Sequence, residues 1–315
     1  MLKFLKERTA PHLLESLPRL MYRLPKNHLS YEDVVSDHYK VRAGFGGEQH
    51  VDRLLRRMRW RESGFVIADL QLRDCFCQID TVVLTPHFAM ILEVKNYSGT
   101  LSFDEDSLHM TQRTRDGKFF GFNSPVTQAW NAREELLDLF RRLSVSLPVY
   151  TAVVLPYSST LIERAPKEIP VIYGYSLNRF LSSLPRTGRL MTPEELARVG
   201  QLLIDRHTPF PKTDYSHVYQ FELKDLKTGV LCDACGSPCM RQSERTHFCV
   251  RCQLVVLDGY SRALDDWFEF VTPEITNRQY REFLSLKDKY AARYLLQKLG
   301  YASRGASVQR VYWKE

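Results

Sequence analysis

Two apolar, β-branched runs, Thr81–Thr85 and Met90–Val94, flank a Pro86-His87 turn, the pattern of a buried hairpin. Around it the alternation predicts strands at 65–71, 76–84 and 88–96, with a shorter pair near 99–103 and 107–113. After G-F-G-G-E (Gly44–Glu48), Val51, Leu54, Leu55 and Met58 recur at helical spacing, which predicts a helix over about 46–60 with Glu48 in its first turn. A second helix is expected over 125–143, with Pro125 near its start and Trp130, Leu136, Leu137 and Phe140 along one face. Val149–Pro156 and Ile169–Tyr173 read as strands completing a mixed sheet, and Thr192-Pro193-Glu194-Glu195 starts a helix running to about His207. Strands alternating with helices in this way give an α/β domain. Residues 1–40 read as a mildly basic arm (Arg19, Arg23, Lys26, Lys40) of one or two short helices broken by Pro11, Pro18 and Pro25, covering a core edge or touching DNA. The stretch 208–225, with Pro209 and Pro211, reads as a linker.

Candidate chemistry enters at the hairpin. Residues two apart in a strand share a face, so Glu93 and Lys95 project together while Val94 points into the core. Asp80 and Glu93, at the edges of adjacent apolar runs, need a partner to offset desolvation. Together they can hold a hard cation such as Mg²⁺ or Mn²⁺ through oxygen ligands. Lys95 can then orient or deprotonate a water, or steady charge developing on a phosphate. The expected reaction is metal-assisted phosphodiester hydrolysis. Cys75 and Cys77 lead into Asp80 and read as buried structural cysteines, while His87 and His109 read as solvent-exposed.

These residues resemble the PD-(D/E)XK nuclease superfamily, and more narrowly its nuclease-related (NERD) domain. The resemblance rests on the Gly-rich entry with Glu48, on Asp80, on Glu93-Val94-Lys95-Asn96 followed by Gly99, and on an N-x-P-x-x-Q segment of Asn123, Pro125 and Gln128. It covers roughly residues 40–155. It implies a restriction-endonuclease-like mixed sheet flanked by helices over 41–210, behind an arm at 1–40. Asp80 and Glu93 would ligate Mg²⁺, Glu48 would complete or adjust the metal shell, and Lys95 would position the water. Gln128 would hydrogen-bond a phosphate or the attacking water. DNA processing or repair is the setting this implies. The alternative is a non-catalytic nucleic-acid-binding adaptor on a nuclease fold.

The C-terminal third changes the picture again. Of seven cysteines, five lie between Cys232 and Cys252. Cys232-x-x-Cys235 and Cys249-x-x-Cys252 form two thiolate knuckles for a structural Zn²⁺, with Cys239 and His247 as spare ligands. The segment 229–260, after a linker at 211–228, resembles a zinc ribbon. Residues 261–315 are similar to winged helix-turn-helix segments. Thr276 caps a short helix, a second runs to Leu299, and Tyr301–Trp313 suits a hairpin wing. The resemblance makes Lys287, Lys289, Arg293 and Lys298 the available DNA contacts, and leaves ribbon or tail open to a protein partner.

Composition is that of a globular protein, 44% hydrophobic and 26% charged. A net charge of +7 suits a polyanion but is shared by many proteins without one. Met1–Lys6 lacks the apolar run of a secretory signal, and no stretch approaches a membrane span, so the expected location is the cytoplasm. Clustered cysteines in a reducing compartment likewise favour metal over disulfides.

Overall fold

The protein is described by a computed structural model covering residues 2–60, 62–73, 78–104, 106–186, 191–210, 212–243, 245–286, 288–306 and 309–314. Cys75, Cys77 and Lys287 lie outside the described residues. From the N terminus the chain forms β1 (Leu2–Lys6), α1 (Leu13–Arg23), α2 (Tyr31–Arg57), β2 (Gly64–Gln71), β3 (Gln78–Leu84) and β4 (Ala89–Val94). Next come β5 (Gly99–Asp104), β6 (His109–Arg113), β7 (Phe119–Asn123), α3 (Pro125–Arg142), β8 (Val149–Leu155), β9 (Thr160–Arg164) and β10 (Val171–Tyr173). Helices α4 (Leu177–Ser183), α5 (Pro193–Ile204) and α6 (Tyr215–Tyr219) precede β11 (Met240–Arg241), β12 (Thr246–Cys249) and β13 (Leu254–Leu257). The chain closes with α7 (Gly259–Phe270), β14 (Glu274–Thr276), α8 (Asn277–Leu284), α9 (Lys289–Lys298), β15 (Ala302–Arg304) and β16 (Val311–Trp313). It divides into two compact units, Met1–Ala10 with Arg42–Pro211, and Pro11–Val41 with Lys212–Glu315.

The first unit is mixed α/β. Its six-stranded sheet has the order β1-β2-β3-β4-β8-β10, with β2–β3 and β3–β4 antiparallel and β1–β2, β4–β8 and β8–β10 parallel. Alternation along the strands fills both faces. Ile67, Val82, Leu84 and Ile91 pack under α3 and α5, while Val66, Val83, Met90, Leu92 and Val94 pack under α2 and α4. Burial on both sides explains why β3 and β4 read as unbroken apolar runs. A second sheet, β7-β6-β5-β9, has its own core of Leu101, Phe103 and Met110.

The Gly-rich segment does not start a helix. It lies inside α2, so Glu48 is a mid-helix residue and the helix dipole does little for it. Each interior glycine costs ~1 kcal/mol, and burying Val51 and Leu55 at ~1.5–3 kcal/mol apiece offsets much of that. Gly47 has a packing reason: a Cβ there would stand 3.0 Å from Pro156 Cγ and 3.1 Å from Asn96 Cβ. Gly99 sits at φ +78, where a Cβ would meet the Arg113 carbonyl oxygen at 2.2 Å. Residues 2–6, expected as helical arm, instead add a parallel edge strand to β2.

In the second unit Pro18 does not break α1, which runs through it. An interior proline costs ~3 kcal/mol or more, through a lost helical hydrogen bond together with the clash of its ring with the preceding turn. Full burial of Leu17 and Leu20 in the helix and Leu24 at its end outweighs that, at ~1.5–3 kcal/mol each. Arg23 is a buried structural cation rather than a DNA contact. Its Nε donates to Asp266 Oδ2 (2.7 Å) and its Nη1 to the carbonyls of Lys227 and Gly229. The expected linker contains α6, whose Tyr215 and Tyr219 pack with Leu17, Leu20 and Phe270. Beyond it lie a three-stranded antiparallel sheet, β11-β12-β13, and a helical segment whose strands order as β14-β16-β15. No helix among the described residues is long and apolar enough to cross a membrane.

Candidate functional site

Strands β4, β8 and β10 run parallel and end together at Val94, Leu155 and Tyr173. In open α/β sheets the carboxyl ends of parallel strands are where ligands bind. Glu93 is the penultimate residue of β4 and is fully buried. The register Thr81↔Leu92 brings Asp80 of β3 alongside it, and Asp80 Oδ2 accepts a hydrogen bond from Val94 N at 2.9 Å. Lys95 follows directly, with Nζ 2.6 Å from Glu93 Oε1. Glu93 Oε2 is buried without a hydrogen-bond partner among the described residues.

Glu48 approaches from α2, held by an arginine that the sequence pattern did not single out. Arg8, just after β1, has a 3% exposed side chain. Its Nη1 donates to Glu48 Oε2 (2.8 Å) and Asp69 Oδ1 (2.7 Å), and its Nε to Asp52 Oδ2 (2.8 Å). Its Nη2 reaches the Asp80 carbonyl (2.9 Å) and Thr81 Oγ1 (2.8 Å). Asp69 sits at φ +50 within β2, a strained conformation for a non-glycine residue, and its carboxylate also accepts from Thr9 N. One signal in the sequence could have pointed here: the unexplained run of charge at Lys6-Glu7-Arg8 beside an apolar strand pattern, Leu2–Leu5.

The electrostatics tie the carboxyls into one group. Burial chiefly, then Asp80, pushes the Glu93 carboxyl up to about 8, against the pull of Lys95. Burial and then Asp80 push Glu48 up to about 7, against Arg8. Asp80 is raised by its own burial, opposed by Lys95 and the Val94 N–H. Burial works to lower the Lys95 ammonium, but Glu93 and Asp80 outweigh it and hold it above its ordinary range. A hard cation fits this donor set: oxygen donors only, mutually repelling, with one buried oxygen unpartnered. Gln128 lies in the first turn of α3 with its side chain exposed, and makes no hydrogen bond to Glu93 or Lys95. His87 is only partly exposed and pairs with Glu62 at 3.3 Å, a correction to its expected exposure; His109 is exposed.

These shifts carry a sign. A carboxyl whose folded pKa is raised holds its proton in the native state after the unfolded chain has lost it, so stability falls as pH rises between the two values. Without added divalent metal, the first unit is therefore expected to lose stability as pH rises from about 4.5 to about 8. Glu93→Gln should flatten that slope. Thermal melts of native and variant protein across this range check it; equal slopes would sever the link to Glu93.

The second candidate centre is sulfur. The Sγ atoms of Cys232, Cys235, Cys249 and Cys252 all lie within 4.8 Å of one another, the one such group of metal-ligand atoms among the described residues. Cys235 and Cys249 Sγ are 3.7 Å apart. A tetrahedron of Zn–S bonds near 2.3 Å has S···S edges of about 3.8 Å, so the four thiolates fit zinc. Hydrogen bonds from Ser237 and Cys252 pull the Cys235 thiol down, and the bond to Cys235 pushes the donating Cys252 thiol up, so the two share one proton that a bound metal would displace. Cys239, beside the cluster, is pushed up to about 12 by burial and the neighbouring thiols, which keeps it protonated. His247 is buried against Tyr260, ring centroids 4.6 Å apart, and is not in the cluster.

In the tail, Lys289, Arg293 and Lys298 are exposed on α9, together with Tyr290 and Tyr294. Lys289 Nζ lies 5.0 Å from the Tyr290 ring and Lys298 Nζ 5.4 Å from the Tyr294 ring.

Residues 43–156 match the family model of the nuclease-related domain (NERD). The match covers a little over a third of the chain and contains Glu48, Asp80, Glu93, Lys95 and Gln128. No curated protein and no solved structure matches the chain.

Proposed function

We propose that the chain is a metal-dependent nuclease that hydrolyses DNA phosphodiester bonds, with Asp80 and Glu93 as ligands for Mg²⁺ or Mn²⁺. The observation that carries this is the fully buried Glu93, one oxygen unpartnered, beside Asp80 and Lys95 at the carboxyl edge of the sheet. The nuclease-related match over the same residues supports it. A bound cation would supply a counter-charge to the phosphate and an acidified water.

The chain's own residues then divide the work. Lys95, held in its ammonium form by Glu93 and Asp80, is a donor without a lone pair. It therefore orients the water or steadies charge developing on phosphate oxygens, and does not act as the base. Glu48, whose carboxyl burial holds well above its ordinary range against the pull of Arg8, is suited to accept a proton. Arg8 keeps Glu48 in place. The segment from α7 to β16 is read as a winged-helix-like module, a reading its alternation of short helices and strands supports, and the exposed cations of α9 would contact DNA phosphates. The zinc ribbon braces this module.

The test is a panel of labelled DNA structures incubated with Mg²⁺ or Mn²⁺. Native protein should cleave at least one member, and Lys95→Ala should be slower by ~100-fold or more, the usual cost of removing a group that stabilises transition-state charge. Cleavage undiminished in Lys95→Ala would remove it from the site. Binding without metal-dependent cleavage would leave the adaptor reading.

A further inference from the structure

Strand β7 is an edge strand, paired to β6 alone, and every one of its five residues is exposed. It nevertheless carries Phe119, Phe120 and Phe122, at 68%, 46% and 39% exposure. Exposed aromatics on a sheet edge invite aggregation unless they serve a partner. Phe120 and Phe122, two apart, share a face, and Tyr97 joins them to form a row. The ring centroids are 6.2 Å apart from Tyr97 to Phe122 and 6.4 Å from Phe122 to Phe120, at interplanar angles of 35° and 30°.

One end of this row adjoins the reaction centre. Tyr97, half-buried against the core of the second sheet, lies two residues beyond Lys95; burial chiefly raises its phenol, with Lys95 opposing and Glu93 adding to it. The β6–β7 turn next to the other end holds Arg115 and Lys118 against a single carboxylate, Asp116. Rings spaced near the ~6.8 Å of two base-stacking steps, leading from a cationic turn to a phosphodiester-cleaving site, suit one kind of polymer. Resting on the nuclease reading, we infer that the row Tyr97–Phe122–Phe120 is a stacking platform for the unpaired bases of a single-stranded nucleic acid whose backbone enters the site at Lys95. Duplex bases already stack on each other and offer no face to such a row. A peptide strand added to β7 would use the main-chain edge, and would need neither the cationic turn nor a path to Lys95.

The test uses the full chain, without added divalent metal so that nothing is cut. Fluorescence anisotropy measures binding to a labelled oligothymidylate of about 20 nucleotides and to a blunt duplex of equal length. Stacking is worth ~1–3 kcal/mol per base, so Phe120→Ala/Phe122→Ala should weaken single-strand binding by roughly tenfold or more. Phe120→Tyr/Phe122→Tyr should stay within about threefold of native, and duplex affinity should change by less than about threefold in either variant. The proposal is overturned if native protein does not bind the single strand, if the alanine variant binds it as native does, if tyrosine fails to preserve it, or if duplex affinity falls by the same factor. Because binding is read without cleavage, an inactive metal centre would sink the nuclease reading and leave this result standing.

Discussion

Stripping the metal from Cys232, Cys235, Cys249 and Cys252 is expected to unfold residues 230–257 while the helical segment beyond them stays folded. The ribbon buries few apolar side chains, chiefly Val230, Leu231 and Val256. Met240, Leu254, Val255 and Leu257 are about half exposed. So small a core cannot hold three short strands, whereas zinc on four thiolates supplies ~10 kcal/mol or more of folding free energy. Val230, Cys232, Cys249 and Val256 join the core of the segment that follows, but that core is built mostly of its own Trp267, Tyr280, Phe283, Leu296 and Tyr312, which remain packed when the ribbon is lost. Amide hydrogen exchange before and after a strong chelator, and in Cys232→Ser/Cys249→Ser, reads the two segments separately. Loss of protection should be confined to the ribbon. Protection retained there without metal, or less than about half an equivalent of zinc in the native protein, would overturn the assignment.

Much of this architecture could be read from residue pattern because the informative signals were local. The buried hairpin, the helix start at Thr192-Pro193 and the two C-x-x-C knuckles each write their structure into a few adjacent residues, and each appears as expected. The misses have a common cause in tertiary context. Glycines at 44, 46 and 47 read as a helix entry, yet α2 passes through them because close packing at Gly47 and burial of Val51 and Leu55 outweigh propensity. Pro18 read as a break, yet the leucines around it hold α1. Leu2–Lys6 is too short to declare itself a strand, and its partner β2 is some sixty residues away. At the site, Asp80, Glu93 and Lys95 were legible because they interrupt apolar runs. Arg8 was less so: the charge run Lys6-Glu7-Arg8 marks the place, but nothing near it in sequence identifies Glu48, Asp52 and Asp69 as its partners.

Arg8 is where the largest loss of stability in the first unit is expected. Arg8→Met keeps the length of the side chain but removes the charge and every donor. It leaves Glu48, Asp52 and Asp69 facing one another in a buried site. Breaking a buried ion pair by deleting one partner costs ~3–5 kcal/mol, because the remaining charges stay desolvated. For a unit of this size that corresponds to a fall in melting temperature of roughly 6–20 °C. Lysine should rescue little, since one ammonium cannot span the positions that the guanidinium fork reaches. The deficit also has a pH signature. Without the cation, the Glu48 carboxyl, already held above its ordinary value by burial, rises further, so the variant regains stability as pH falls and Glu48 protonates. Melts at pH 7 and pH 5 should therefore show a smaller gap between variant and native at the lower pH. Asp52→Asn combined with Arg8→Met should likewise cost less than the two changes separately, because the second removes a charge that the first has stranded. A loss below about 1 kcal/mol at pH 7, or a gap that widens on acidification, would mean that Arg8 is not what holds the acidic cluster, and with it Glu48, in place.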